Sequence, residues 1–280
     1  MTATLQSQSS KIGNTKTRLP GTSATAVAQR PAKDLTVILG ALGLLIVLGS
    51  WQLSATLGIV DSNFSSSPFG AIGALIDSLV TGYIWAPIGS TMSTVAWGMG
   101  IAIALGIPLG LLFGRNRILY GLTDPLISIM YSVPYVVFLP MIIFWFGIGM
   151  EARVVIVVWA AAFPLMINVI AGARNLDVSY TQVARVFCAS KTMTLTSVAF
   201  PATLPYILAG IRQAVGRGLV GAIVAELFMG SSGLGYIVQL RTSQFRMDDA
   251  MGAVAVIAIV AILLTRTIAY LEKRFTSWSG

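Results

Sequence analysis

The sequence predicts an all-α membrane protein with six transmembrane helices. Three observations carry that prediction. The chain of 280 residues is 56% hydrophobic and only 10% charged, where an average soluble domain carries about 25% charged residues, and its mean hydropathy is +0.83. Apolar runs of about 20 residues, the length that crosses a hydrocarbon layer, recur along it. Lys and Arg concentrate in alternate connecting segments, as the positive-inside rule requires.

Residues 1–33 are rich in Ser, Thr, Gln and Ala and carry Lys11, Lys16, Arg18, Arg30 and Lys33. They read as a flexible basic tail on the cytoplasmic side. A cleaved leader would place its apolar region nearer the start, so the tail is expected to remain. Residues 34–280 then form one six-helix transmembrane domain. The first span falls in 35–60, around "LTVILGALGLLIVLGSWQL". The second falls at about 86–113, within a longer charge-free run. The third occupies 125–150 and the fourth 154–173. The fifth occupies about 202–228, with charges inside it, and the sixth about 250–271, with Arg266 near its end. Six spans put both termini on one side. The inner segments then hold twelve Lys and Arg against three on the outer side.

The net charge of +8 fits that bias, facing anionic lipid. No basic run with interleaved aromatics is present, so nucleic acid is not an expected partner. The chain has no histidine and one cysteine. That excludes a His-containing metal site, a Ser-His-Asp triad and an internal disulfide. Gly106, Pro108, Gly110, Pro134, Pro140 and Pro164 lie inside the spans. Such breaks suit a transport path, and equally suit ordinary kinking of membrane helices.

The segment "QVARVFCASKTMTLTSVAFP", residues 182–201, interrupts the apolar pattern. It lies on the cytoplasmic side, in a connection (174–201) longer than a turn needs. "SYTQVARVF" fits a short helix with Ser179 as a cap, and Val183, Val186 and Phe187 share one face. "CAS" breaks it, and "KTMTLTSVAF" fits a second short helix ended by Pro201. Physics alone leaves two readings: an amphipathic hairpin resting on lipid, or an element that docks in a groove of a soluble partner.

At these residues the chain resembles the permease subunits of type I ATP-binding-cassette importers. Their signature is Glu-Ala-Ala, three residues, Gly, nine residues, Ile, one residue, Leu-Pro. Here Gln182-Val183-Ala184 stands for the opening triplet, Cys188 for the glycine, Val198 for the isoleucine and Phe200-Pro201 for Leu-Pro. The flanks "VPYVVFLPMIIFWFGIGMEAR", "FPLMINVIAGARNLD" and "GRGLVGAIVAELFMGSSGLGYIV" resemble the nitrate, sulfonate and taurine branch. The likeness runs from about residue 80 to 272. Two departures stand out: Gln182 lacks a carboxylate, and Cys188 puts a Cβ where φ > 0 favours glycine. Either the bend uses ordinary dihedrals or it carries strain.

The resemblance implies a subunit without catalysis of its own, in the cell inner membrane with both termini cytoplasmic. It implies a cytoplasmic ATPase dimer that binds ATP and Mg, an extracytoplasmic binding protein that delivers a small solute, and a second permease copy, by default identical. No cofactor is expected on this chain. Gln182, Val183, Ala184, Arg185, Val186, Phe187, Cys188, Lys191 and Pro201 would form the element that couples ATPase motion to the spans. The branch handles anions such as nitrate and sulfonates, and also thiamine-precursor pyrimidines, so the substrate stays open.

Within the fifth span, Arg212, Arg217 and Glu226 are candidates for the translocation path. They equally suit structural ion pairs with other helices. After that span "MGSSGLGYIV" reads as a tight re-entrant turn or an outer gate. No GxxxxGK[ST] pattern occurs in the chain, so a phosphate-cradling loop is not expected. Arg241, Arg246, Asp248 and Asp249 lie in an outer loop, solvated or facing the binding protein. Trp51, Tyr83, Trp85 and Trp145 suit an interfacial belt. A self-contained channel or secondary transporter would leave the cytoplasmic insertion without a purpose and shows no clear inverted repeat. An intramembrane enzyme would have few groups to work with.

Overall fold

The computed structural model describes residues 33–59, 61, 64–176, 179, 182, 184 and 186–275. The basic tail therefore lies outside the described residues, apart from Lys33. Contacts divide the chain into two units, Met1–Val47 and Leu48–Gly280. In the first, residues 33–47 begin helix α1 (Lys33–Thr56), and the apolar side chains from Leu35 to Val47 are exposed. An apolar helix exposed on every side suits a lipid surrounding.

The second unit holds the rest. Its helices are α2 (Pro68–Thr81), α3 (Trp85–Arg115), α4 (Arg117–Ser132), α5 (Leu139–Phe146), α6 (Met150–Arg174), α7 (Phe200–Met229), α8 (Leu234–Ser243) and α9 (Met247–Phe275). No strand occurs among the described residues. Among the described residues, five helices are long and apolar enough to cross a membrane, and α4 with α5 makes a sixth if the bent pair counts as one span.

The core is α3, α6 and α7. Lipid tails are as apolar as leucine, so helices in a membrane associate through close packing and hydrogen bonds, not through expulsion of water. Here α3 presents a small-residue stripe, Gly98, Ala102, Gly106, Gly110 and Gly114, at a spacing of four. Gly98, Gly106, Gly110 and Gly114 lie against Val157, Leu165, Val169 and Ala173 of α6. Each partner is 59 residues further along the chain, so the two helices run parallel. A Cβ at Gly110 would stand 2.8 Å from the Val169 side chain, and one at Gly114 would stand 2.7 Å from Ala173 Cβ. Helix α7 packs antiparallel on α6: Gly172 meets Thr203 and Tyr206, and Gly210 meets Leu165 and Asn168. Met99, Val157, Leu165, Val169, Ala214 and Leu219 fill the centre.

Three expectations need correction. The third apolar run, 125–150, is not one straight helix. Helix α4 starts at Arg117, where Asn116 Oδ1 accepts from the Ile118 and Leu119 amides. It stops before Pro134, which forces Val133 into an extended conformation at ψ 126°. A 3-10 turn (Tyr135–Phe138) and α5 follow, with an 84° bend between the two arms. Second, Pro201 does not end a short helix. The chain stays helical from Lys191–Thr194 through a π turn at Leu195–Ala199 into α7. Pro201 falls in the first turn of α7, where its missing N–H removes no bond that α7 needs. Third, the outer connections are not plain loops. Helix α2 has Ser67 as its cap and Pro68 at its start, and α8 opens directly after the glycine-rich turn.

Candidate functional site

Three places hold the residues singled out from the sequence. The first is the connection between α6 and α7. Residues 179, 182, 184 and 186 are helical, whereas Val183 and Arg185 lie outside the described residues, as does the side chain of Lys191. Ala184 is turned inward at 7% exposure, while Val186 and Phe187 stand 81% and 80% exposed. Gln182 is exposed. Cys188 ends the helix at φ +51°, and the Ala189 amide donates back to the Ala184 carbonyl at 2.9 Å. That is a Schellman-type stop, which usually carries glycine. Of the two geometries open at Cys188, the structure takes the strained one. Ser190 then caps the next turn, its Oγ accepting from the Met193 amide at 3.1 Å. The result is a sharp bend with two large apolar side chains at its tip.

The second place is the outer end of α7. Glu226 is fully buried. Thr91 Oγ1 of α3 lies 2.9 Å from both carboxylate oxygens, and the Gly235 amide donates to Oε2 at 2.9 Å. Thr91 accepts in turn from the Leu234 amide at 2.9 Å. Arg153 of α6 lies 3.8 Å from Oε1 and donates to Ser90 Oγ at 3.3 Å and to the Ser232 carbonyl at 3.1 Å. A carboxylate at the first turn of α8 also suits the helix dipole. The glycine-rich turn follows from this arrangement. Gly233, at φ +104°, would drive any Cβ into the Glu226 carboxyl group, and Gly235 lies against the Ile223 carbonyl and Glu226. Arg153, at the outer end of α6 and not singled out from the sequence, is only 6% exposed. The available signal was Glu226 itself, since a buried carboxylate needs a cation and Arg217 is too far along the same helix.

The third place is the middle of α7. Arg212 pairs with Glu272 of α9 at 3.1 Å. Arg217 does not join Glu226. Its Nη2 donates to the Tyr131 hydroxyl of α4 at 2.9 Å, and its guanidinium stands 4.9 Å from that ring centre. One turn earlier, Gln213 Oε1 accepts from Asn168 Nδ2 at 2.8 Å. Gln213 and Arg217 are both exposed. Among the outer residues, Asp248 accepts from Ser66 Oγ at 2.7 Å and Arg246 pairs with Asp249. Trp51 donates to the Ser66 carbonyl at 2.8 Å, while Trp85 and Trp145 are exposed. No cluster suited to a metal ion occurs among the described residues.

Comparison with known proteins sets these places in context. Residues 102–276 match the family described as binding-protein-dependent transport system inner membrane component. The chain is 28% identical to the taurine transport system permease protein of Escherichia coli (strain K12), over 89% of this chain and 92% of that protein. It is 28% identical to a putative aliphatic sulfonates transport permease of Bacillus subtilis (strain 168), covering 93% and 95%. It is 34% identical to the bicarbonate transport system permease of Synechococcus elongatus, covering 69% of each. Among solved structures, the inward-facing MetNI methionine ABC transporter superposes at a TM-score of 0.59 with 17% identity, over 70% of this chain and 94% of that one. That likeness concerns the fold.

Proposed function

From the premise that this chain belongs to the family of binding-protein-dependent transport system inner membrane components, we propose that it carries a small anionic solute across the membrane, driven by an ATPase on a separate chain. The chain is a multi-pass permease subunit of an ABC importer in the inner membrane. Its similarity to taurine, sulfonate and bicarbonate permeases supports an anionic or zwitterionic cargo. A binding protein outside delivers the solute, and two copies of this chain pair around the path with their termini in the cytoplasm.

The observation that carries the coupling role is the bend at Cys188. Val186 and Phe187 project from it almost fully exposed, a costly arrangement for apolar groups on a water-facing surface unless a partner covers them. Ala184 packs inward behind them. We assign the docking surface to Val186 and Phe187 with Val183, flanked by Gln182, Arg185 and Lys191. The helical path through Pro201 joins it to α7. ATP and Mg stay with the partner ATPase.

Phe187→Asp, Arg185→Glu and Ala184→Trp should each lower recovery of the ATPase with the tagged permease by about tenfold or more, the loss of a hot-spot contact, while the permease remains in the membrane. Normal co-purification of all three would remove the coupling role. Cys188 is the sole thiol and is exposed. An impermeant maleimide should label it in inside-out vesicles and spare it in right-side-out ones.

A further inference from the structure

We propose that Arg217, Gln213 and Tyr131 form an oxyanion-recognition site in the middle of the membrane, a step beyond the importer reading on which it rests. Arg217 lies 17 residues from the start of α7 and 12 from its end, about 26 Å and 18 Å along the axis. A charge at that depth faces protein or water. Arg212, five residues earlier, has its carboxylate in Glu272. Arg217 has no carboxylate within ion-pair distance among the described residues, and its side of α7 is open.

The neighbours of Arg217 present donors. Asn168 Nδ2 donates both to the Pro164 carbonyl at 2.8 Å and to Gln213 Oε1 at 2.8 Å. The carbonyl fixes which end of Asn168 is the amide nitrogen, and that fixes Gln213 with its oxygen toward Asn168 and its NH2 turned away. The Tyr131 hydroxyl accepts from Arg217, so its own proton is free to donate. The guanidinium retains further N–H groups and is held over the Tyr131 ring. Helices α7 and α4, with α6 orienting Gln213, thus bring together a guanidinium fork, an amide NH2 and a phenol O–H, with no carboxylate paired to Arg217 among the described residues. Such a set matches a small trigonal or tetrahedral oxyanion, which a guanidinium grips by two parallel bonds.

The backbone supplies an independent argument. Tyr131 is next to the last residue of α4, where the chain breaks at Val133-Pro134 and turns through 84°. Non-helical backbone at membrane depth persists only where protein buries it or where it lines a water-filled cavity. Pro134, Val136 and Val137 at this break are exposed, so the helices of this chain do not bury it, as a backbone lining the path between two copies requires. A broken helix and an open cation at one level place the solute there.

The test uses the complete complex, with its ATPase and binding protein, in proteoliposomes. Uptake of nitrate, bicarbonate, taurine, ethanesulfonate and an uncharged pyrimidine is measured. For whichever anion or zwitterion the wild type carries, Arg217→Gln and Gln213→Glu should each reduce uptake about tenfold or more, with a raised KM, the scale of one lost charge-assisted bond. Arg217→Lys should retain an intermediate rate, and Tyr131→Phe should lose about two- to fivefold. Wild-type rate and KM in both Arg217→Gln and Gln213→Glu overturn the site and leave the importer reading intact. Should Arg217→Gln fail to assemble, the near-isosteric Gln213→Glu and Tyr131→Phe decide in the same way. Wild-type uptake of the pyrimidine alone, or of no probe, overturns the anionic-cargo reading and the site with it.

Discussion

Helix α7 carries two charges nine residues apart that meet opposite fates. Glu226 is enclosed: every partner around it comes from this chain, and α3, α6 and the start of α8 all converge on it. Arg217 is exposed, and among the described residues its one hydrogen bond goes to a phenol. A charge that a fold uses to hold itself together ends with its hydrogen bonds closed internally. A charge kept for another molecule leaves donors over. The sequence around the two residues is equally apolar, so the distinction belongs to the neighbours.

The largest expected effect breaks or upholds that contrast directly. Glu226→Ala strands buried Arg153 and should destabilise the detergent-solubilised protein by about 3–5 kcal/mol, seen as a lower unfolding temperature and poor membrane yield. The pair Arg153→Met with Glu226→Leu should recover a large part of it, because an apolar pair leaves no unpaired buried charge. Arg217→Ala should change stability by less than about 1 kcal/mol. Equal losses for Glu226→Ala and Arg217→Ala would erase the contrast. A smaller effect sharpens it at the packing level. Gly110→Leu pushes a side chain into Val169 and should destabilise by about 1–3 kcal/mol, whereas Gly216→Ala on the open side of α7, where a Cβ meets nothing within 4 Å, should leave stability at or slightly above the wild type. Smallest is Cys188→Gly. Relief of the left-handed conformation should stabilise the bend by about 1 kcal/mol, read as slower hydrogen exchange at the Ala189 amide.

The long spans were legible because a charge-free run has only one stable fate in lipid. The ends of α3, α6, α7 and α9 fall within a few residues of expectation for that reason. The bend at Cys188 was legible in outline from spacing, including the oddity of a cysteine at that position. Helices α2 and α8 were not, since each is short and carries charge or glycine at its margins, and their stability comes from packing on α9 and α7. The partners of Arg153 were hidden because a charge beside a glycine-containing turn looks solvated until Glu226 and Ser232 are seen around it. The parallel contact of α3 with α6 was hidden too. Gly106 and Gly110 were noticed as breaks in a helix, while their use as a seat for Leu165 and Val169 depends on which face α6 brings. Pro201 looked like a stop because a π turn ahead of it cannot be foreseen from residue type.

Helix persists without a gap from Lys191, three residues after the bend at Cys188, through Arg217 to Met229. On the coupling role proposed above, a shove delivered at the bend would cross only Ala189 and Ser190 before it entered this helix. It would reach the face that bears Gln213 and Arg217 through the π turn at Leu195–Ala199. Swapping partners at the tip and regripping cargo in the middle would then be two readings of a single displacement.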